Sequence, residues 1–224
     1  MDTRNSTRQQ YPISALVVGL AREGTALSRF LVGRGASVTV TDARSAEALA
    51  ESRAALADLS VRYALGGHPL SLLDGTDIVF ASPGVPPEIP LLAAARQRGI
   101  PISSETRLFT GLCPAPIVGI TGSCGKTTTT ALVGEILKAT HRRTWVGGNI
   151  GQPLIQHVAE ILASDIVVME LSSFQLEFFR PWSGQVAAAV PFAPDGWSPP
   201  FAAILNITPN QLDRHLSMEA YIAA

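Results

Sequence analysis

The chain has 224 residues, a formal net charge of −1 at pH 7, and 46% hydrophobic residues. This length suits one large or two modest domains, and the hydrophobic fraction is enough to bury a core, so we expect a folded globular protein. The near-neutral charge argues against nucleic acid and a membrane surface as partners.

The first eleven residues are polar, and we expect a disordered tail there because they lack the apolar core of a signal peptide. No later apolar run reaches membrane-spanning length. The two cysteines, Cys113 and Cys124, are too few for a disulfide framework, and a bridge at Cys124 would distort a glycine-rich loop. A reducing cytoplasm fits this pattern.

A first βαβ unit is predicted near the start of the chain. Residues 13–20 form an apolar run typical of a buried parallel strand, a helical pattern opens at Gly24, and the second strand ends at Asp42. Gly19, Ala21 and Gly24 occupy three fingerprint positions of a dinucleotide fold, with Asp42 where a ribose-binding acid is expected. Ala21 replaces the glycine that lets a pyrophosphate approach, which argues against an ordinary nicotinamide or flavin site. A tight turn without ligand remains the alternative.

Two further elements follow in the first half. Residues 45–59 predict an alanine-rich helix, and residues 77–82 predict a strand that ends in the turn Ser82-Pro83-Gly84. Open α/β sheets bind ligands at the carboxyl ends of their strands, so this turn is a candidate ligand contact. An ordinary turn is the alternative.

A linker divides the chain. After a helix over 91–98 and a short strand over 100–103, the sequence C-P-A-P at 113–116 predicts a connection between domains. We therefore expect a Rossmann-like domain at residues 12–113 and a second domain at 114–224. The predicted fold class is α/β, with a mostly parallel sheet in the second domain.

The strongest signal is a glycine-rich stretch between a strand and a helix, T-G-S-C-G-K-T-T at 121–128. Glycines let the backbone turn its N–H groups toward phosphate oxygens, and the new helix adds the positive end of its dipole. Lys126 can reach a terminal phosphate, and Thr127 can offer its hydroxyl to magnesium. The spacing G-x-x-G-K-T departs from the common loop, and a glycine turn without ligand is the alternative. The predicted nucleotide-binding residues are Gly122, Ser123, Cys124, Gly125, Lys126, Thr127 and Thr128.

The helix after this loop is predicted over 127–138, with Leu132, Ile136 and Leu137 as its buried stripe. Asn149 follows the next strand within a glycine-rich turn. It is either a turn residue or a polar contact toward ligand, and the spacing does not decide between them.

Glu170 lies near the carboxyl end of the apolar run 165–171. A carboxylate there, on a strand expected to neighbour the phosphate loop, is well placed to hold magnesium directly or through water. A solvated glutamate at a strand end is the alternative. The predicted catalytic residues are therefore Lys126 and Glu170, and the predicted metal ligands are Thr127 and Glu170.

The last segments are less informative. Residues 172–179 predict a helix whose phenylalanines belong to the core, and residues 202–208 predict a strand, with a helix starting at Ser217. The proline-rich stretch 191–200 gives no prediction.

Four segments together resemble the Mur ligase family. They are T-G-S-C-G-K-T-T at 121–128, G-G-N-I-G at 147–151, E-L-S-S-F-Q-L-E at 170–177 and N-I-T-P-N-Q-L-D-R-H at 206–215. A-S-P-G at 81–84 and the first βαβ unit also match. E-L-S-S-F-Q-L-E is the most specific segment, because it separates the D-glutamate-adding members from their relatives.

The resemblance implies a three-domain enzyme, of which this chain has the first domain and about half of the second. It implies ATP and Mg²⁺ as cofactors, and UDP-N-acetylmuramoyl-L-alanine and D-glutamate as substrates in peptidoglycan synthesis. ATP would convert the substrate carboxylate to an acyl phosphate, and the D-glutamate amine would attack it to give an amide, ADP and phosphate. We expect a monomer, too short to catalyse this reaction alone.

The resemblance also assigns substrate contacts. Six residues would face the uridine end of the substrate, and Asn149 would approach its sugar and diphosphate. Gln211 occupies the place of a family histidine that helps bind a second metal and the substrate. Asn210 replaces the preceding acidic residue, and Cys124 replaces an asparagine, so these positions depart from the family. The expected substrate-binding residues are Leu20, Ala21, Asp42, Ala43, Ser82, Gly84, Asn149 and Gln211.

Two other functions remain open. One is a non-catalytic module that holds the UDP-sugar or ATP. The other is a different amide ligase of the same type, such as folylpolyglutamate synthetase, against which E-L-S-S-F-Q-L-E and the UDP-like first domain speak.

Overall fold

The computed structural model describes residues 13–180 and 195–224, which form two parallel β-sheets accompanied by helices. The expected tail at 1–11 lies outside the described residues, as do residues 191–194 of the proline-rich stretch. No helix within the described ranges is long and apolar enough to cross a membrane.

The first sheet has the strand order β3-β2-β1-β4-β5, and all its strands are parallel. The order reverses between β1 and β4, and open α/β sheets bind ligands outside the carboxyl ends of the strands at such a point. The strands are β1 Ser14–Val18, β2 Ser37–Asp42, β3 Val61–Leu65, β4 Ile78–Ala81 and β5 Ile102–Ser103. The helices are α1 Arg22–Gly33, α2 Ala50–Ala54, α3 Pro90–Gln97 and α4 Glu105–Leu112.

The structure explains why the sequence of β1 is one continuous apolar run. Side chains alternate across a sheet, so Ala15 and Val17 join one hydrophobic cluster while Leu16 and Val18 join another. The first cluster includes residues of α1, and the second includes residues of α3. Helices therefore cover both faces of this sheet, as parallel sheets require.

The second sheet has the order β7-β8-β6-β9, again entirely parallel. Its central strand β6 lies between β8 and β9, so the loop after β6 adjoins the ends of two strands that are distant in sequence. The strands are β6 Ile117–Thr121, β7 Thr144–Gly148, β8 Ile166–Glu170 and β9 Phe201–Ile204. The helices are α5 Lys126–Lys138, α6 Ser173–Leu176, α7 Leu212–His215 and α8 Met218–Ala223.

The predicted helix over 45–59 is wrong in length, because only Ala50–Ala54 is helical and turns flank it. Alanine has a high helix propensity, but propensity alone does not hold a short helix in water. Within this segment only Leu49 and Leu56 are buried, one on either side of α2, so little packing supports a longer helix.

The predicted buried stripe of α5 is wrong for Leu132 and Ile136, while Leu137 is half-buried. Leu132 and Ile136 are 59% and 57% exposed, and the residues that α5 buries are Thr130 and Gly134. Gly134 approaches the sheet so closely that a Cβ there would lie 2.5 Å from a methyl of Val146. This close approach turns the small-residue face of the helix onto the sheet and leaves the large apolar side chains outside.

One hydrophobic cluster joins the two sheets. It contains Leu31 of α1, Phe109 of α4, and Ile155 and Val158 from the segment between β7 and β8. Polar contacts cross the same junction: Gln175 donates to Glu23 (2.9 Å), and Arg214 donates to the carbonyl of Pro83 (3.1 Å). The carboxyl ends of both sheets consequently lie near one another.

Candidate functional site

The glycine-rich loop connects β6 to α5, and Gly125 caps the helix in a left-handed conformation (φ 83°). The first N–H groups of a helix have no intrahelical partner, so the start of α5 offers donors and a positive dipole end to an anion. The order strand, loop and helix is as the sequence predicts. The loop therefore has the geometry of a phosphate-binding loop.

The segment after β9 forms hydrogen bonds with this loop. The Asn206 side chain accepts from the Cys124 N–H (2.9 Å) and donates to the Cys124 carbonyl (3.0 Å), while its backbone oxygen accepts from the Ser123 N–H (2.9 Å). Asn210 donates to the Ser123 carbonyl (2.9 Å). Sequence reasoning did not assign Asn206 to the site, although Asn206 opens the family-like segment 206–215 and follows β9, the neighbour of β6.

Two predicted nucleotide-binding residues differ in their surroundings. The Ser123 side chain is buried, its hydroxyl lying 2.9 Å from both the carbonyl of Thr208 and the hydroxyl of Tyr221, so it supports the loop from behind. Cys124 is exposed, and neither cysteine is in a disulfide.

Burial raises the pKa of the Cys113 thiol, which lies outside the loop, to about 11, so that thiol stays protonated and unreactive at neutral pH.

Lys126 is folded over its own loop. Its Nζ donates to the carbonyls of Gly122 (2.7 Å) and Ser123 (3.2 Å). These are neutral acceptors, so a phosphate oxygen offers the ammonium a stronger, charge-assisted partner. The amine thus lies at the predicted phosphate-binding loop.

Glu170 is almost completely buried and is held from two sides. Its Oε2 accepts from the Thr127 hydroxyl (2.8 Å), and its Oε1 accepts from the Asn149 side-chain amide (2.8 Å). The strand order β7-β8-β6 produces this meeting, because Gly148 pairs with Glu170 and Glu170 pairs with Ile120. Asn149, which the sequence left undecided, therefore contacts the predicted catalytic carboxylate.

Thr127 and Glu170 together fit magnesium. This ion is usually held by one or two carboxylates and takes its remaining ligands from water and phosphate oxygens. Within residues 13–180 and 195–224 there is no group of three or more His, Cys, Asp or Glu side chains arranged to hold a metal by themselves. The donor set suits an ion that arrives with a nucleotide.

A cavity of about 860 Å³ lies at the carboxyl edge of the first sheet and reaches the second. Ligand sites of small molecules commonly have 300–1,000 Å³, so this volume admits a nucleotide-sized ligand. Seven of the eight predicted substrate residues line it. They are Ala21, Asp42, Ala43, Ser82, Gly84, Asn149 and Gln211.

Leu20 is the exception. Its side chain is fully buried in the core, and its backbone N–H donates to Asp42 (2.8 Å). A side-chain contact between Leu20 and a ligand is therefore excluded, and its role is to hold Asp42.

Asp42, predicted to bind a ribose, already accepts hydrogen bonds from N–H groups of the protein. Its carboxylate accepts from the Leu20 N–H and from the backbone, Nε and Nη2 of Arg44, at 2.8–3.0 Å. Burial by itself raises the pKa of Asp42, but the hydrogen bonds from Arg44 and Leu20 outweigh burial and lower the pKa to about 2. Asp42 therefore acts first as an anchor for Arg44, which also lines the cavity.

Two carboxyl groups, the half-buried Glu23 and the buried Glu105, lie at the junction between the sheets. Glu23 in α1 accepts from the Gln175 amide, and Glu105 in α4 accepts from the Ile155 N–H (3.3 Å). Burial raises the pKa of both carboxyls, and for Glu105 the charge of Glu23 adds to the effect. The Oε2 atom of Glu23 is buried and has no hydrogen-bond partner among the described residues, which fits the raised pKa of this carboxyl, about 7.

Gln211 is held from behind by a short hydrogen-bonded chain. It has a left-handed backbone (φ 55°), and its side chain meets the Ser173 hydroxyl at 2.8 Å. The same hydroxyl lies 2.9 Å from His215 Nε2, whose Nδ1 lies 3.5 Å from Glu177. Burial lowers the pKa of His215, although the charge of Glu177 opposes this. These contacts fix the direction in which Gln211 faces the cavity.

The fold is that of a known class of proteins. The sequence profile described as "Mur ligase MurD-like, N-terminal domain" matches residues 13–104, and the profile described as "Mur ligase middle domain" matches residues 120–224. The chain belongs to the Mur ligase family. The predicted fold class is confirmed: a Rossmann-like α/β domain is followed by a P-loop-type domain with a parallel sheet.

Within this family, the chain is similar to enzymes that share one name. It is 46% identical over 210 residues to the UDP-N-acetylmuramoylalanine–D-glutamate ligase of Symbiobacterium thermophilum, a match that covers 94% of this chain and 43% of that enzyme. It is 49% identical over 210 residues to the enzyme of the same name from Geotalea uraniireducens, covering 93% and 43%. The chain thus spans less than half the length of these relatives.

A solved structure shares the fold. The crystal structure of UDP-N-acetylmuramate:L-alanyl-gamma-D-glutamyl-meso-diaminopimelate ligase from Neisseria meningitides superposes with a TM-score of 0.55 at 16% identity. The match covers 94% of this chain and 65% of that one. At this identity the likeness concerns the fold alone.

Proposed function

We propose that this chain provides the UDP-substrate site and the ATP site of an ATP-dependent ligase that adds D-glutamate to UDP-N-acetylmuramoyl-L-alanine. The observation that carries the proposal is the position of Asn149. Its side chain contacts Glu170 beside the phosphate loop, and the same residue lines the cavity of the first sheet. A substrate in that cavity thereby reaches the phosphate loop with one end.

The names of the relatives support the choice of substrates, since each is a UDP-N-acetylmuramoylalanine–D-glutamate ligase. We place the boundary between the two domains at residues 113 and 114. Cys113 and Cys124 are both free thiols, which supports a reducing compartment such as the cytoplasm. We further propose a monomer, which sedimentation equilibrium tests directly.

In the proposed reaction, the start of α5 binds the triphosphate of ATP through backbone N–H groups. Lys126 leaves the carbonyls of Gly122 and Ser123 and donates to the terminal phosphate, where charge develops during transfer. Thr127 and Glu170 would hold magnesium, which would neutralise part of that charge. Asn149 fixes the orientation of Glu170 through its amide.

The chemistry proceeds in two displacements. A carboxylate oxygen of the substrate attacks the terminal phosphorus of ATP, the bond to the bridging oxygen breaks, and ADP leaves. The amine of D-glutamate then attacks the acyl carbon, phosphate leaves with the electron pair of the C–O bond, and the nitrogen loses a proton to give the amide. The role of the first domain is to hold the UDP end so that the carboxylate meets the ATP site.

Calorimetric titration of the 224-residue chain with UDP-N-acetylmuramoyl-L-alanine and, separately, with Mg-ATP tests the proposal. We expect each ligand to bind with one site per chain. Absence of binding by both ligands would contradict it. Phosphate release from ATP that requires both the UDP substrate and D-glutamate would identify the full reaction, whereas binding without turnover would assign this chain a binding role.

A further inference from the structure

The position of the phosphate loop orients the substrate within the cavity. This step rests on the proposed function, because the carboxylate that receives phosphate must lie near Asn149 and Gln211, which belong to the segments that follow β7 and β9 of the second sheet. The nucleoside must then occupy the opposite end. That end is lined by Asp42, Arg44 and His68, at the carboxyl ends of β2 and β3.

At this end of the cavity, Arg44 and Asp42 together offer a base mainly hydrogen-bond donors. The Asp42 carboxylate already accepts four N–H groups from Leu20 and Arg44, which fills the roughly four lone-pair sites of a carboxylate. A guanidinium has five N–H donors and no acceptor, and two of the Arg44 nitrogens point at Asp42. An acceptor for an N–H of the base must come from another group.

His68 supplies that acceptor because Thr41 fixes its tautomer. The buried Thr41 hydroxyl lies 2.8 Å from the carbonyl of Gly67 and 3.0 Å from His68 Nδ1. A carbonyl only accepts, so the single hydroxyl proton goes to Gly67, and Nδ1–H must be the donor to Thr41. The other ring nitrogen, Nε2, then carries a lone pair. Burial lowers the pKa of His68 against the opposing charge of Asp42, so the ring is neutral at pH 7.

We propose that His68 reads the base of the bound nucleotide, its Nε2 accepting a hydrogen bond from the ring N–H of a uracil while Arg44 donates to an adjacent carbonyl oxygen. Uracil carries a hydrogen on N3 between two carbonyl groups. Cytosine carries a lone pair on N3, which would face the lone pair of His68. His68 and Arg44 together therefore select uridine nucleotides over cytidine nucleotides.

The test is calorimetric titration of the 224-residue chain with UDP, CDP and 3-methyluridine 5′-diphosphate. The methyl group of the last ligand removes the N3 hydrogen and leaves both carbonyls. For the unaltered chain we expect UDP to bind about tenfold more tightly than either of the others, which corresponds to about 1.4 kcal/mol.

Two variants and a control sharpen the test. His68→Ala should bring the three affinities within about twofold of each other, since the discriminating acceptor is gone. Thr41→Val keeps the shape but frees the tautomer of His68, and should lose part of the preference. His141→Asn is the matched control, because His141 is exposed and has a left-handed backbone that asparagine tolerates.

The outcomes separate this proposal from the function on which it rests. Binding of UDP with a preference that His68→Ala abolishes supports the inference. Equal binding of UDP and 3-methyluridine 5′-diphosphate to the unaltered chain overturns it, even if His68→Ala does not fold. UDP preference that persists in His68→Ala overturns it as well, while the UDP site stands. Failure of the unaltered chain to bind UDP overturns both.

Discussion

Glu170 illustrates how much one buried side chain depends on its neighbours. A carboxylate at this depth needs partners for both oxygens, and Thr127 and Asn149 provide them from the two flanking elements. The same two residues connect the carboxylate to the phosphate loop on one side and to the cavity on the other. Glu170 therefore links the two proposed ligand sites through its hydrogen bonds to Thr127 and Asn149.

Lys126→Ala should weaken ATP binding about tenfold to a hundredfold, because a charge-assisted hydrogen bond to phosphate is lost. The fold should persist, since the Nζ lies at the loop and fills no core volume. Calorimetry with Mg-ATP measures the affinity, and circular dichroism reports the fold. Lys138→Ala is the control, because Lys138 pairs with Glu135 at the far end of α5. An unchanged ATP affinity in Lys126→Ala would count against the loop assignment.

Glu105→Gln should remove part of the pH dependence of stability. Its pKa in the folded protein is raised above the ordinary 4.5, so above pH 4.5 the folded state keeps a proton that the unfolded state releases. The free energy of unfolding therefore falls as pH rises from about 4.5 through the raised pKa. Glutamine has no such proton, so the variant should gain stability relative to the unaltered chain as the pH rises from 5 to 8.

Urea denaturation at pH 5 and pH 8 measures this slope. Glu23 titrates in the same direction, so the slope should shrink without vanishing. Glu135→Gln, at an exposed pair with Lys138, is the control and should leave the slope unchanged. Equal slopes for Glu105→Gln and the unaltered chain would show that Glu105 is ionised in the folded state.

At the scale of elements, the close packing of α1 on the first sheet determines where its N-terminus lies. Gly24 comes so near the turn after β1 that a Cβ would overlap the carbonyl of Gly19 at 1.9 Å. This is the third glycine of the fingerprint, whose role is close contact between helix and strand. The cavity begins at this turn, since Gly19 and Ala21 line it.

Gly24→Ala should destabilise the protein by about 3 kcal/mol or more, because the backbone of Gly19 cannot move away cheaply. Gly33→Ala, in the last turn of the same helix, is the matched control, since a Cβ there meets no atom within 4 Å. That variant should be neutral or more stable by about 0.5–1 kcal/mol. Thermal unfolding of both variants measures the difference, and equal midpoints would contradict the packing described for α1.

At the scale of the molecule, the hydrophobic cluster shared by the two sheets makes them interdependent. Phe109 is fully buried within it, on a helix that contacts both α1 and the segment Leu154–His157 between β7 and β8. Contiguous cores unfold together when their shared contacts are strong relative to each part. The two halves should therefore behave as one cooperative unit.

Differential scanning calorimetry should show one thermal transition for the unaltered chain. Phe109→Ala removes a large side chain from the shared cluster, and we expect a loss of about 3–5 kcal/mol together with broadening or separation into two transitions. Phe201→Ala is the control, because Phe201 is 60% exposed on the edge strand β9. Two well-separated transitions in the unaltered chain would show that the sheets unfold independently.

The sequence by itself determined the phosphate loop, the first βαβ unit and the α/β class, because each depends on residues that are adjacent in the chain. Strand, glycines, Lys126 and helix follow one another directly, so local order is enough to predict the loop. Two of the wrong predictions, the length of the helix near Ala50 and the buried face of α5, relied on local propensity where distant packing decides.

Only the tertiary structure decided which distant residues meet. The pairing of β6 with β8 and β9 brings Glu170 and Asn206 to a loop that lies more than 40 residues away in the chain. It likewise brought Glu23 and Glu105 into one buried junction and set Thr41 against His68. Strand order is a property of the whole sheet, and the pattern of any single strand does not encode it.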